Sequence, residues 1–210
     1  MQKAAFKYLR QQPSLLVWLM RGLFWCLLNR RRPRLLMMGH GAQLRTNPNA
    51  RLPIIMKLGR FSTVDLRGAD EVDIGERFVL GDFSFLIASG SAEVRCPYVT
   101  IGDNVSFGPF AYIGGGFGLH VGSDVAAGGS VTIHPENHSI VEGVLLKQSG
   151  ISGKGISIGS DLWIGQKTTF LDGVEVGDRV VIGAGSVVNK SIASKSVYAG
   201  VPAKQLSRID

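Results

Sequence analysis

Large apolar residues recur every six positions along much of the chain. Ile158, Ile164, Phe170, Val176, Ile182 and Val188 follow one another at that spacing, and Ile158, Ile164, Val176 and Ile182 each stand directly before a glycine. The same phase appears upstream in Ile74-Gly75, Leu80-Gly81, Ile101-Gly102, Phe107-Gly108 and Ile113-Gly114. An α-helix repeats near 3.6 residues and a half-buried strand at 2.0, so neither accounts for a period of six. A triangular coil does. It has three short strands per turn, one bulky aliphatic per side pointing inward, and small residues near the corners where a side chain would clash. The spacing therefore predicts an all-β coil over residues 58–192, preceded by a helical segment at 1–57 and followed by a short tail at 193–210. Two phase breaks stand out. Ile113 to Val121 is eight residues, so GGGFGLHV carries two extra, and between Ile133 and Ile158 the repeat stops. Residues of about 134–155 are expected to leave the coil as a loop and rejoin at Gly155-Ile156; loops on a rigid scaffold are where function concentrates.

Ahead of the coil, Leu15–Leu28 reads LLVWLMRGLFWCLL, apolar except at Arg21 and Gly22. As a helix it would be about 21 Å long, short of the roughly 30 Å hydrocarbon core. Arg21 at its centre would add about 2.5–3.5 kcal/mol against insertion. A secretory signal peptide is set aside because no small-residue cleavage site follows; Arg30-Arg31-Arg32-Pro33-Arg34 follows instead. The segment reads as one lying in a membrane interface, with Trp18 and Trp25 as anchors and the cations of residues 1–45 facing anionic lipid. Each cation there contributes about 1 kcal/mol. The alternative is a helix packed on its own oligomer.

Composition changes the picture in three respects. A chain of 210 residues, 45% hydrophobic and 19% charged, supports one domain with an appendage and excludes a disordered chain. Two cysteines, Cys26 and Cys96, are too few for a disulfide scaffold or a structural zinc site. The net charge of +7 conceals an asymmetry: residues 1–64 hold twelve Lys or Arg and no acid, while the remainder holds eleven basic and sixteen acidic groups, a net of −5. The protein has a basic head on a mildly acidic body. No nucleic-acid module surrounds the arginine run, so no nucleic-acid partner is expected.

The motifs after the phase break carry a resemblance. They read Asn137-His138-Ser139-Ile140, Gln148-Ser149-Gly150, Lys154-Gly155-Ile156, Trp163-Ile164-Gly165, Gly173-Val174-Glu175-Val176-Gly177-Asp178, Val181 to Lys190 as VIGAGSVVNK, and Gly200-Val201-Pro202-Ala203-Lys204. This ordered set resembles the hexapeptide-repeat acyltransferases, in the branch of galactoside, maltose and xenobiotic acetyltransferases and polysaccharide O-acetyltransferases. The resemblance covers roughly residues 58–210 and implies a left-handed parallel β-helix, an exception to the usual right-handed crossover. It implies a homotrimer with the active site between two chains, acetyl-CoA as donor, and His138 as the catalytic residue. A sugar hydroxyl is a poor nucleophile near neutral pH, and an imidazole that takes its proton during attack on the thioester typically gives 10²–10⁴-fold. Backbone N–H groups of a neighbouring coil would stabilise the oxyanion. No acyl-enzyme is required, because neither cysteine lies in a nucleophile motif.

His134 and Asn137 are candidate acceptor-side residues, His134 alternatively stabilising the loop; by the same resemblance Trp163 lies beside the acetyl group and the pantetheine arm, in reach of the acceptor. Gln166, Gly183, Ala184, Asn189, Lys190, Lys204 and Arg208 line the coenzyme side, the lysines as point charges for phosphate. Gln166 stands where relatives often carry a small hydroxyl residue. Gly108-Pro109-Phe110 stands where they often carry Asn or another polar group, implying a different acceptor. The expected acceptor is a hydroxyl of a surface polysaccharide or of its lipid-linked precursor, with the enzyme cytoplasmic at the inner face of the plasma membrane. Three alternatives stay open: N-acetylation of a nucleotide-linked amino sugar, a catalytically silent assembly coil, and a metal hydratase. For the last, His120 and His138 are 18 residues apart and could stack one coil above the other, with His134 near. The motif reading expects no metal.

Overall fold

A chain that offers one large apolar residue in every six can bury them together only by turning a corner after each. In a computed structural model, whose described residues are 13–88 and 94–210, the backbone does so and winds into a triangular parallel β-helix. Sheet I stacks β1 (Leu35–Met38), β3 (Ile55–Leu58), β6 (Phe78–Leu80), β9 (Ser106–Phe107), β12 (Val125–Ala127), β17 (Leu162–Ile164), β20 (Val180–Ile182) and β22 (Ser196–Ala199), and ends on β23 (Lys204–Arg208), which runs antiparallel. Sheet II stacks β2 (Gln43–Thr46), β4 (Thr63–Leu66), β7 (Phe85–Ile87), β10 (Tyr112–Gly114), β13 (Thr132–His134), β18 (Thr169–Leu171) and β21 (Val187–Val188). Sheet III stacks β5 (Ala69–Ile74), β8 (Cys96–Ile101), β11 (Leu119–Val121), β16 (Ile156–Ile158) and β19 (Glu175–Val176). The six-spaced residues Ile158, Ile164, Phe170, Val176, Ile182 and Val188 are all buried, as are Ile74, Leu80, Ile101, Phe107 and Ile113.

The glycines serve close approach between coils. A Cβ on Gly102 would lie 2.7 Å from the carbonyl carbon of Gly122, and one on Gly122 would lie 2.7 Å from that of Gly159. The positive-φ residues are mostly other residues. At the corner between sheets I and II, Phe61, Phe83, Phe110, Ser130 and Lys167 take φ of 53–61°; between sheets III and I, Arg77, Asn104, Asp124, Asp161, Arg179 and Lys195 take 56–60°. Left-handed backbone costs a non-glycine about 1–2 kcal/mol. The coil offsets this with a hydrogen bond at nearly every step. The N–H of Phe83 donates to the carbonyl of Arg60 on the preceding coil, Phe110 to Asp82, Asp124 to Asp103 and Arg179 to Ser160, all at 2.8–2.9 Å. Along the sheet I–II corner the rings of Phe61, Phe83 and Phe110 stack at successive centroid distances of 5.4 Å.

The N-terminal region departs from expectation. The coil begins at Leu35, not at 58: β1 pairs with β3 in parallel register, and Leu36, Met38, Leu44, Leu52 and Met56 are core. The basic head therefore contains a stretch of β-helix, and its cations face acids one coil on. Arg45 pairs with Asp65 (3.4 Å), Arg51 with Asp73 (3.0 Å) and Arg60 with Asp82 (2.7 Å). Arg31 donates to the carbonyls of Asn47 and Ala50, and Arg34 to those of Leu52 and Pro53, so half of the arginine run clamps the first coil. The tail also differs, since β22 continues sheet I and β23 folds back on it.

One helix, α1 (Pro13–Leu28), lies across β1 so closely that a Cβ on Gly22 would collide with the Leu36 carbonyl. Leu15, Gly22 and Cys26 are buried on its inner stripe, with Trp18, Leu19 and Trp25 half-buried beside them. The tryptophans thus face the protein, contrary to their expected role as anchors. The Trp25 indole donates to the Leu44 carbonyl at 2.9 Å, and the Lys57 ammonium sits 5.8 Å from the Trp18 ring centre. The outer face, Leu16, Val17, Met20, Leu23, Phe24, Leu27 and Leu28, is apolar and exposed. No described helix is long and apolar enough to cross a membrane. Lys3, Lys7 and Arg10 lie outside the described residues.

Candidate active site

The repeat stops at His134, and the chain there leaves sheet II. It forms a hairpin, β14 (Asn137–His138) against β15 (Ile151–Ser152), with a short 3-10 turn at Leu146–Gln148, and rejoins the coil at Ile156. His138 is exposed and pairs with Ile151 across the hairpin. Ser139 N–H donates to the Gly150 carbonyl at 3.1 Å, and the Ser149 hydroxyl donates to the Ser139 carbonyl. Beyond these bonds the tip carries the exposed apolar side chains of Ile140 (87%), Leu145 (71%) and Leu146 (60%).

The histidine's neighbours divide between roles. Asn137 is committed: its amide nitrogen donates to Asp172 at 3.0 Å. Glu136 turns back over Gly116, where a Cβ would collide with its carboxylate. From there it acts on two groups of the coil, Cys96 in the core and the half-buried Tyr112. Burial, then Asp70 and Glu136, push the Cys96 thiol up to about 12, and burial followed by Glu136 raises the Tyr112 phenol. A thiol so placed is protonated at neutral pH. His134, at the end of β13, is exposed, its ring 6.5 Å from that of Tyr112.

His120 does not stack with His138. Because the hairpin removes its residues from the coil, the partner of His120 on the next coil is Ser157, and its ring shares a 2.8 Å hydrogen bond with the Thr100 hydroxyl. Among the described residues no group of three His, Cys, Asp or Glu is disposed to hold a metal ion.

The coenzyme-side residues fall on other faces. Trp163, 66% exposed, projects from sheet I between the short side chains of Ala126 and Val181. Beside it runs a groove of about 380 Å³ lined by Asp124, Asp161, Arg179 and Ile209. Nothing in the motif around Arg179 marks it in the sequence; only coil stacking brings it to Trp163. Gln166, Gly183 and Ala184 follow one another up the sheet I–II corner, where Gln166 and Ala184 are exposed; the coils approach closely here, since a Cβ on Gly128 would meet Gln166 and one on Gly165 would meet Ala184. Lys204 and Arg208 are exposed at the two ends of β23, against Ala199 and Ser196. Asn189 and Lys190 are exposed just after β21, at the far edge of sheet II. Trp163, Gln166, Gly183, Ala184, Lys204 and Arg208 thus share sheet I and its corner, whereas Asn189 and Lys190 lie at the edge of sheet II from which the His138 hairpin departs.

Residues 155–190 match the family described as bacterial transferase hexapeptide (six repeats). That match falls on the part of the coil built by β16 to β21. It is 37% identical over 112 residues to galactoside O-acetyltransferase of Escherichia coli K12, a stretch covering 53% of this chain and 45% of that relative. The chain thus spans less than half of the galactoside enzyme's length. WbbJ of the same strain, whose assignment to lipopolysaccharide biosynthesis as an O-acetyl transferase is itself provisional, is 28% identical over 151 residues, covering 68% of this chain and 74% of WbbJ. Among solved structures, a maltose O-acetyltransferase of Clostridium difficile 630 superposes with a TM-score of 0.52 at 22% identity, over 76% of this chain and 70% of its own. AntD, an N-acyltransferase of Bacillus cereus solved with dTDP and coenzyme A, gives 0.54 at 17%, over 73% and 84%. At these identities the likeness is one of fold, and it is the left-handed parallel β-helix expected of the family.

Proposed function

We propose that the protein transfers an acetyl group from acetyl-CoA to a hydroxyl of a glycan, a surface polysaccharide or its lipid-linked precursor, with His138 as general base and each site shared between two chains of a homotrimer. The observation that carries this reading is a separation. His138 stands on a hairpin beyond the sheet II edge, whereas Trp163, Gln166, Gly183 and Ala184 lie on sheet I and its corner. A triangular prism turns these features to different faces, so a donor groove reaches the base only when a second prism lies alongside. The uncovered apolar tip of the hairpin supplies a surface for that neighbour.

In the transfer, the His138 imidazole accepts the proton of the acceptor hydroxyl as its oxygen attacks the thioester carbonyl. The new C–O bond forms, the C–S bond breaks, and the proton passes to the departing coenzyme A thiolate. Trp163 covers one side of the pantetheine arm, the unencumbered backbone at Gly183 and Ala184 lets it run close, and Lys204, Arg208 and Lys190 meet phosphate. The acceptor side lies toward a membrane. The outer face of α1 is apolar along its whole length, flanked by Arg21 and followed by the exposed Arg30 and Arg32, and residues 1–64 contain no acid. An apolar stripe with basic flanks suits an anionic bilayer surface at the cytoplasmic side. The same cations would repel those of a second α1, which weighs against a helix-to-helix contact between copies.

Thiol release from acetyl-CoA against a panel of sugars, nucleotide sugars and lipid-linked oligosaccharides tests the reaction. Release with lipid-linked or polymeric acceptors is expected; release with a nucleotide amino sugar alone replaces the hydroxyl reading with N-acylation, and absence of coenzyme A binding ends the transferase reading. His138→Ala is expected to keep the trimer and coenzyme A binding while losing at least about a hundredfold in rate. Flotation with anionic vesicles is expected to carry the protein up, and Leu16→Ser/Met20→Ser/Phe24→Ser to abolish this; flotation of that variant equal to wild type would refute the membrane face.

A further inference from the structure

We propose that Asp172 is the positioning residue of the transfer site, a latch that holds both feet of the hairpin on which His138 is presented. The inference rests on the reading of His138 as base. It starts from how little ties the hairpin to the coil. From Ser139 to Gly150 the described hydrogen bonds run within the hairpin itself, as between Ser139 and Gly150 or Ser149 and Ser139. At its feet the side-chain ties converge on one carboxylate, beside a backbone bond from the Gly173 N–H to the Gly155 carbonyl at 2.9 Å. Asp172 Oδ2 accepts from the Asn137 side-chain amide at 3.0 Å, next to His138 on the outgoing strand. Asp172 Oδ1 accepts from the backbone N–H of Lys154 at 2.7 Å and of Gly155 at 3.2 Å, where the chain returns to the coil.

The carboxylate is itself anchored on the core of the coil. Asp172 follows β18 directly, and two residues earlier Phe170 is fully buried in the core. Leu171 pairs with His134, so Asp172 sits one coil above the point where the hairpin departs. The returning backbone is shaped to meet it: Gly155 has φ +81°, and a Cβ there would lie 2.6 Å from the Gly118 carbonyl oxygen. An exposed hairpin otherwise free to rock thus gains a two-point attachment, one point per oxygen, with the Asn137 bond a single residue from the imidazole. A base must lie within hydrogen-bond reach of the proton it abstracts, and an error near 1 Å can cost about a hundredfold.

The test exploits the polarity of the Asn137–Asp172 pair. Asp172→Ala is expected to lower kcat by about ten- to a hundredfold with KM for acetyl-CoA changed less than about twofold. Asn137→Asp, which sets two carboxylates face to face, is expected to do the same. The reciprocal double variant Asn137→Asp/Asp172→Asn restores an amide–carboxylate pair and leaves an oxygen for the two backbone N–H groups, so it is expected to recover kcat to within about threefold of wild type. A readout independent of turnover accompanies it: amide hydrogen exchange at residues 137–155 is expected to accelerate at least about tenfold in Asp172→Ala, with the coil unchanged, and to return in the double variant. Wild-type kcat in Asp172→Ala, or a double variant no better than Asn137→Asp, overturns the latch. Full activity of His138→Ala overturns the base reading instead, whatever the exchange data show.

Discussion

The coil and the hairpin hold their side chains in place by opposite means. In the coil each residue's position is fixed many times over by repetition: glycine stacks on the next coil's backbone, a left-handed corner residue bonds to the coil before, and an aliphatic fills the axis. A ladder of side chains reinforces this at the sheet III–I corner. The N–H groups of Glu76, Asp103, Ser123, Ser160 and Asp178 donate in turn to Asp103, Ser123, Ser160, Asp178 and Ser194 at 2.7–3.0 Å. The hairpin repeats nothing, and at its feet it leans on one carboxylate. Redundant support yields rigidity and tolerates no change of size; sparse support yields a part that can be moved, or lost, by one substitution.

The comparison breaks most visibly at glycine. Gly122→Val is expected to cost more than about 4 kcal/mol and to prevent folding, read as loss of the thermal transition, because coil backbone cannot move aside. Gly150→Val in the hairpin meets nothing within 4 Å and carries only the strain of φ +83°, about 1–2 kcal/mol locally, with the coil's melting unchanged. If both variants melt alike, close stacking is not what the coil glycines are for. Next in size, Phe170→Ala should cost about 3–5 kcal/mol in denaturant titration. Leu145→Ser/Leu146→Ser should leave the stability of the chain within about 0.5 kcal/mol and raise the dissociation constant of the proposed trimer in sedimentation. Smaller again is an alkaline effect. The Cys96 thiol is held protonated by burial, so its contribution is complete below the ordinary thiol value of 9.0 and is lost as pH rises toward about 12. Cys96→Ala should flatten that alkaline slope, and iodoacetamide at pH 8 should leave the native thiol unmodified. The smallest effect is at Asp65, held below its ordinary 3.8 chiefly by the Arg67 guanidinium. Its stabilisation is present above that value and fades as pH falls through the lowered one, and Asp65→Asn should cost at most about 1 kcal/mol at pH 7, as exposed pairs do.

The same division explains what could be read without coordinates. The period of six marks the core residues and the glycines because both obey one rule repeated along the chain. The first coils are masked by charge: Met38, Leu44 and Ala50 keep the period, but Arg45 and Arg51 stand beside two of them in a head without acids, and such a pattern reads as a membrane contact. Only stacking shows that Arg45, Arg51 and Arg60 meet acids 20–22 residues on. Trp25 looked like an anchor until its indole found the Leu44 carbonyl. His138 was visible through its motif, whereas Asp172 was not, because its partners lie 35, 18 and 17 residues away on a path that leaves the repeat.

A stack of coils has a hazard that a closed barrel lacks: its end faces are rows of unpaired amide and carbonyl groups in register to template another molecule. Here α1 lies across β1 at one end, with the Gly22 backbone against the Leu36 carbonyl, and at the other β23 runs backwards, so that a further parallel strand has no matching ladder in sheet I. These two elements act as stops against fibril growth. The helix that reads as a membrane contact is therefore also a guard, and its removal would expose a polymerising edge before it revealed anything about lipid.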